Sequence, residues 1–237
     1  MVNIKHSTEA KHCPSQIFIL DNKASEIAGL SAELSAAFLS SDKKFDYFKS
    51  ATGFTFLVKA EQKMEEIRVL GNTIEGMIFE SEEAVELHGT SNEALFALSE
   101  GLLLSSYRFT QHFSKPKTYK FQHIYVSKSL SNDQLSELAS MAKAVSWTRD
   151  MVNTPVSHLT AEQLAEAIAQ LGQEAGFQVQ VLGKAQIEAL KMGGLLAVNK
   201  GSIDPPTFTI AEYKPSNAVN KKPIVLVGKG VVYDTGG

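Results

Sequence analysis

The residues best equipped for chemistry lie together at one end of the sequence. Lys222 to Gly237 reads KPIVLVGKGVVYDTGG: an apolar run, Ile224 to Val227, that feeds a Gly-Lys-Gly turn, then Asp234 and two further glycines. Gly228 and Gly230 lack a Cβ and reach backbone angles closed to other residues. The chain can therefore turn sharply at the end of a strand and bring Lys229 and Asp234 around one small space. The C-terminal edge of an α/β sheet is where ligand sites usually sit. An ion pair on a solvent-exposed turn has the same spacing, and spacing alone does not separate the two.

Two phosphate-binding patterns fail on individual letters. A Walker-type loop needs Ser or Thr after Gly228-Lys229 and a glycine five places before Gly228, but Gly230 and Pro223 stand there. A dinucleotide fingerprint needs Gly or Ala three places after Gly230, where Tyr233 stands.

The elements that must position this segment alternate between strand and helix patterns. Gln16 to Leu20 (QIFIL), Phe54 to Lys59, Glu66 to Leu70, Phe121 to Val126, Phe177 to Leu182, Thr207 to Tyr213 and Ile224 to Val227 read as strands. Ile27, Leu30, Leu34 and Phe38 recur at helical spacing and predict a helix from about Ala24 to Leu39, broken by the polar stretch Ser40 to Ser50. Leu95, Leu98 and Leu102 predict another, followed by a solvent-facing loop with Lys115, Lys117 and Lys120 around Pro116. A long helix starts after Ser131-Asn132 and stops before Pro155. Thr160 and Gln163 form a capping box, Leu164, Ile168 and Leu171 give the buried stripe behind it, and Gly176 suits the helix end. A short helix follows around Ile187 to Leu190, before a break at Gly193-Gly194. The alternation argues an α/β protein with parallel or mixed sheets, and the domain boundary is placed within the long helix, near Ser146.

Composition removes several classes of function. In 237 residues, 23 basic side chains face 26 acidic ones, a net charge of −3, so no overall positive field exists to hold nucleic acid or an anionic bilayer. A single cysteine, Cys13, excludes an intrachain disulfide and Cys-x-x-Cys zinc ribbons, and fits a reducing cytosol. No apolar run is long enough to predict a membrane span, and the polar start of the sequence is not a secretory signal. His6, His12 and Cys13 are expected on a mobile N-terminal tail. Glu80, Glu82 and Glu83, with Glu75, Glu86 and His88 nearby, are expected on a solvated face rather than around a metal. His123 reads as a packed or satisfied histidine and His158 as a surface residue.

Val227-Gly228-Lys229-Gly230-Val231-Val232-Tyr233-Asp234-Thr235-Gly236-Gly237 resembles, at every defined position, the V-G-K-G-x-x-[FY]-D-[ST]-G-G segment of the leucyl aminopeptidase (cytosol aminopeptidase) family. Thr148 to Pro155 is similar to the family's A-R-D-L-V-N-x-P stretch, with Thr148 for alanine and Met151 for leucine. Leu159-Thr160 matches its L-T. Met192 to Val198 with Gly201-Ser202 is similar to its G-M-G-x-L-L-A-V-x-x-G-S run, with Lys191 in place of the first glycine. Glu212-Tyr213 matches part of L-E-Y, and Ser106-Tyr107-Arg108-Phe109 is similar to S-Y-R-F.

The resemblance implies two α/β domains: residues 1–146, similar to a macro domain, and residues 147–237, the start of a catalytic domain that holds two divalent ions, Mn or Zn. It implies a cytoplasmic homo-hexamer that removes leucine-like N-terminal residues from peptides, with Lys229 and Asp234 as metal ligands. The family's further aspartates, its catalytic lysine and its N-T-D-A-E-G-R stretch are not in this sequence. The resemblance therefore implies a truncated polypeptide without activity of its own, no catalytic residue within it, and exposed apolar surface around Ile224 to Val227. The alternative is a non-catalytic macro-like module for binding or assembly. The scattered glycines of the first 130 residues argue against nucleotide binding by that module.

Overall fold

Ile17, Phe18, Ile19 and Leu20 are successive residues of one strand, and none is more than 1% exposed. Side chains alternate across a strand, so a run buried at every position must be covered on both faces. The computed structural model, which describes residues 2–9, 13–21, 27–127 and 129–232, shows what covers it. Contacts divide the chain into two units, Met1–Asp150 and Met151–Gly237.

The first unit contains β1 (Asn3–His6), β2 (Gln16–Leu20), α1 (Ala32–Ser40), β3 (Phe45–Lys49), β4 (Phe54–Lys59), α2 (Met64–Ile78), β5 (Ala84–Gly89), α3 (Asn92–Ser105), β6 (His123–Val126) and most of α4 (Asn132–Asn153). Its strands form one sheet in the order β1-β6-β5-β2-β4-β3, parallel except where β3 runs antiparallel to β4. On one face Ile17, Ile19, Phe56, Val58, Val85 and Leu87 join side chains of α2, α3 and α4 in the main core. On the other, Phe18, Leu20 and Leu57 meet Phe38 of α1.

Helices α2 and α3 cross with their backbones in contact. A Cβ on Gly101 would lie 2.1 Å from the carbonyl oxygen of Arg68, and one on Gly71 would lie 2.7 Å from the amide nitrogen of Leu102. Glycine is thus required at both places.

Several expectations are corrected. The segment Glu66 to Leu70 is helix, not strand: Ile67, Gly71, Ile74 and Ile78 are buried along α2 at helical spacing, and a five-residue window is too short to reveal that period. The helix expected from Ala24 starts at Ala32, where the Ser31 hydroxyl accepts from the Leu34 amide. Gly29 before it has φ +93°. Ile27 and Leu30 pack on the same cluster from a turn, and residues 24–26 lie outside the described residues. Within the expected polar break, Phe45 to Lys49 pairs as an edge strand because its aromatics meet those of β4, with Phe45 stacked 6.2 Å from Phe56. Ala84 to Gly89, within and just after the acidic stretch, is a strand whose Val85 and Leu87 face the core.

The second unit contains α5 (Ala161–Ala175), β7 (Gln178–Leu182), α6 (Lys184–Ala189), α7 (Gly193–Asn199) and β8 (Phe208–Glu212). Both halves of the Thr160 and Gln163 capping box form, and Gly176 takes the left-handed conformation, φ 78°, that ends α5. β7 pairs antiparallel with β8 and α5 packs against them. Gly193 and Gly194 open a helix instead of breaking one. Ile224 to Val227 is not a strand: no described strand pairs with it, the only sheet among the described residues of this unit is the antiparallel β7 and β8 pair, and Val227 is 93% exposed.

Candidate functional site

Lys229 lies in an exposed stretch without regular structure, residues 223–231. Neither flanking glycine adopts a left-handed φ. A Cβ on Gly228 would meet nothing within 4 Å, and one on Gly230 would find only Leu164 Cδ2 at 3.9 Å. The sharp turn expected from Gly-Lys-Gly is therefore not formed, because nothing packs on the segment tightly enough to require it. Asp234, with Tyr233 and Gly237, lies outside the described residues.

The upstream motifs meet each other instead. Tyr107, just past α3, donates its hydroxyl to Asp150 Oδ1 at 2.8 Å across 43 positions of sequence. Arg149 Nη1 donates to the Leu104 carbonyl at 2.6 Å, and its guanidinium lies 5.4 Å from the centre of the Tyr107 ring. The two short segments thus clasp the end of α3 to α4. Sequence reasoning noted both segments and missed their contact, which no spacing within either segment encodes.

Arg108, the next residue, donates from Nη2 to both carboxylate oxygens of Glu75, at 2.9 and 3.1 Å, and its guanidinium lies 5.1 and 5.2 Å from the ring centres of Phe79 and Tyr119. Glu75 is only 4% exposed, contrary to the solvated face expected for its segment. Burial pushes its carboxyl above the usual glutamate range, and the Arg108 contact opposes that shift. Glu80 pairs with Lys117, and Glu82 accepts the Ser15 hydroxyl at 2.8 Å. Among the described residues no group of three His, Cys, Asp or Glu side chains is placed to hold a metal ion.

His88, His123 and Cys13 are packed into the first unit. His88 stacks on Phe18 at 5.0 Å, and burial lowers its pKa against the opposing charge of Glu86, 3.9 Å away. His123 is packed, its ring 5.9 Å from that of Tyr125, with Nδ1 buried and unpartnered. His158 is exposed and its Nδ1 lies 2.9 Å from the Ser157 hydroxyl. Two members of the expected mobile tail are ordered: His6 Nε2 lies 3.0 Å from Asn132 Oδ1, and Cys13 is buried at 7% exposure. Burial, aided by the charge of Glu86, pushes the Cys13 thiol to about 12. His12 lies outside the described residues.

Residues 146–237 match the sequence profile of the cytosol aminopeptidase family, catalytic domain. Over that stretch the chain is similar to the catalytic domain of cytosol aminopeptidases. It is 35% identical over 209 residues to a probable cytosol aminopeptidase of Chlorobium limicola, covering 82% of this chain and 40% of that relative. Among solved structures it is similar to the leucyl aminopeptidase of Trypanosoma cruzi without ligand (TM-score 0.68, 15% identity, 91% of this chain and 49% of that one). It is also similar to the bottromycin maturation enzyme BotP in complex with Mn (TM-score 0.65, 19% identity, 86% and 46%). The chain spans less than half the length of the curated relatives it matches. The structural likeness extends over both units and shows the α/β fold expected of the chain. The described residues of the family segment do not by themselves make up a two-metal centre, because Lys229 is the one expected ligand among them and it is exposed.

Proposed function

We propose that this chain is the leading part of a metal-dependent aminopeptidase which, at full length, removes leucine-like N-terminal residues from peptides. The observation that carries the reading is the profile match over residues 146–237, the stretch that contains the Gly-Lys-Gly and Asp234 motif. In this reading residues 1–146 are a macro-like domain and 147–237 the start of the catalytic domain. Lys229 and Asp234 are metal ligands, and the complete protein is a cytoplasmic hexamer that takes two Mn or Zn ions. The Mn bound by BotP supports the choice of metal.

A lysine amine ligates a metal only when neutral, which an adjacent dication favours. The chemistry such a pair of ions supplies when bound is activation of water and polarisation of a peptide carbonyl. The present residues contribute two candidate ligands and no more, so the chain alone is inactive.

The test compares the 237-residue protein with a polypeptide extended by whatever reading frame follows the codon for Gly237. Both are assayed for leucine amide hydrolysis with and without manganese or zinc. The reading expects an inert short chain, a metal-dependent long one, and loss of that activity in Lys229→Ala. Hydrolysis by the short chain, a stop codon directly after Gly237, or an inert long chain would overturn it. The last two outcomes would favour a non-catalytic module.

A further inference from the structure

In the first unit, α2, α3 and the end of α4 line an open cavity of about 470 Å³ whose walls include Arg68, Asn72, Ser105, Tyr107 and Arg149. That is the size of a small-molecule pocket. Its two guanidinium groups differ in how their charge is balanced. Arg68 donates from Nε to Glu100 at 2.7 Å and from Nη1 to Glu65, so two carboxylates answer it. Arg149 is half-buried and meets a neutral carbonyl oxygen and an aromatic ring. Among the described residues no carboxylate lies within ion-pair distance of it. The neighbouring Asp150 takes the Tyr107 hydroxyl.

A guanidinium removed from part of its water and lacking a carboxylate partner retains donors in a planar fork, the shape that receives a carboxylate or phosphate in two parallel bonds. Asn72, exposed on α2, adds a neutral amide to the same wall. We propose that this cavity binds a small oxyanion, a carboxylate or phosphate group on a metabolite-sized molecule, with Arg149 as the charged contact and Asn72 as a neutral donor. The site belongs to the first unit and does not depend on the peptidase reading.

Titration calorimetry of the 237-residue protein at low salt, with inorganic phosphate and separately with malonate, tests it. Saturable one-to-one binding of either probe is expected, and the probe that binds identifies which oxyanion the site takes. Arg149→Gln should weaken it about tenfold or more, as expected for a lost charge-assisted contact. Because Arg149 also holds the Leu104 carbonyl, circular dichroism must show that variant folded. Asn72→Asp, an exposed change that places a carboxylate in the cavity, should weaken binding about tenfold by like-charge repulsion without touching the helix packing. Absence of saturable binding with both probes, or unchanged affinity in Asn72→Asp, would overturn the proposal.

Discussion

The Tyr107 hydroxyl and the Asp150 carboxylate lie 2.8 Å apart and join the end of α3 to α4. Removing the hydroxyl with Tyr107→Phe leaves a part-buried carboxylate short of one donor while keeping the ring under Arg149. The expected cost is about 1–2 kcal/mol of stability, read from urea unfolding. A double-mutant cycle with Asp150→Asn should return a coupling of similar size; additive effects would show that the bond contributes nothing.

The crossing of α2 and α3 predicts opposite outcomes for two glycines of the same pair of helices. Gly101→Ala drives a methyl into the Arg68 carbonyl and should cost about 2–3 kcal/mol or prevent folding. Gly76, with open space where its Cβ would stand, should gain about 0.5–1 kcal/mol on replacement by alanine, since helix propensity alone is at issue there. Thermal unfolding of the two variants against the parent decides both.

The buried pair of Glu75 and Arg108 should be far more sensitive to losing one partner than both. Arg108→Ala leaves a desolvated carboxylate and should cost about 3–5 kcal/mol, whereas Glu75→Leu with Arg108→Met should cost much less. If the single and double replacements destabilise equally, aromatic packing on Phe79 and Tyr119 carries the energy and the ion pair does not.

His88 sets a direction for acid sensitivity. Its folded pKa lies below the unfolded value of 6.5, so the unfolded chain binds more protons and stability falls as the pH drops below about 6.5. Glu75 acts oppositely. Its folded pKa is raised above 4.5, and its contribution is greatest below that value and declines as the pH rises through the folded pKa. Replacing His88 by phenylalanine keeps a ring against Phe18 and removes the titration. Melting temperatures at pH 5 and pH 7 should converge in that variant, and an undiminished gap would assign the acid response to other groups.

The stretch from 213 to 231 should be the first place a protease cuts. Lys221 and Lys229 are exposed and are not followed by proline, whereas Lys59 sits in β4 with its amine on the carbonyls of Leu39 and Ser41. Brief trypsin treatment should cleave after Lys221 and Lys229 well before it cleaves after Lys59, as mass spectrometry would show. Equal cleavage at Lys59 would contradict the burial pattern.

What sequence patterns revealed follows from how local each signal is. The all-buried strand at Gln16 to Leu20 and the capping box at Thr160 and Gln163 are complete within a few residues, and both form as read. The strand character of Phe45 to Lys49 was hidden because it depends on aromatics from β4, and α2 was misread because its buried stripe is longer than the window that suggested a strand. In the candidate site, Lys229 and Asp234 were legible as a motif, since the family resemblance resides in consecutive letters. The clasp between Tyr107, Arg149 and Asp150 was not, because it exists only once α3 and α4 have packed.

Cys13 is the one cysteine of the sequence, and it is buried with its thiol held to about 12. The thiolate is the reactive form, so the native protein is nearly inert to alkylating reagents at neutral pH. Opening of the segment just before β2 would restore an ordinary thiol. The rate at which iodoacetamide labels this protein is therefore a clock for local opening of the segment that leads into β2, built into the chain without any engineered probe.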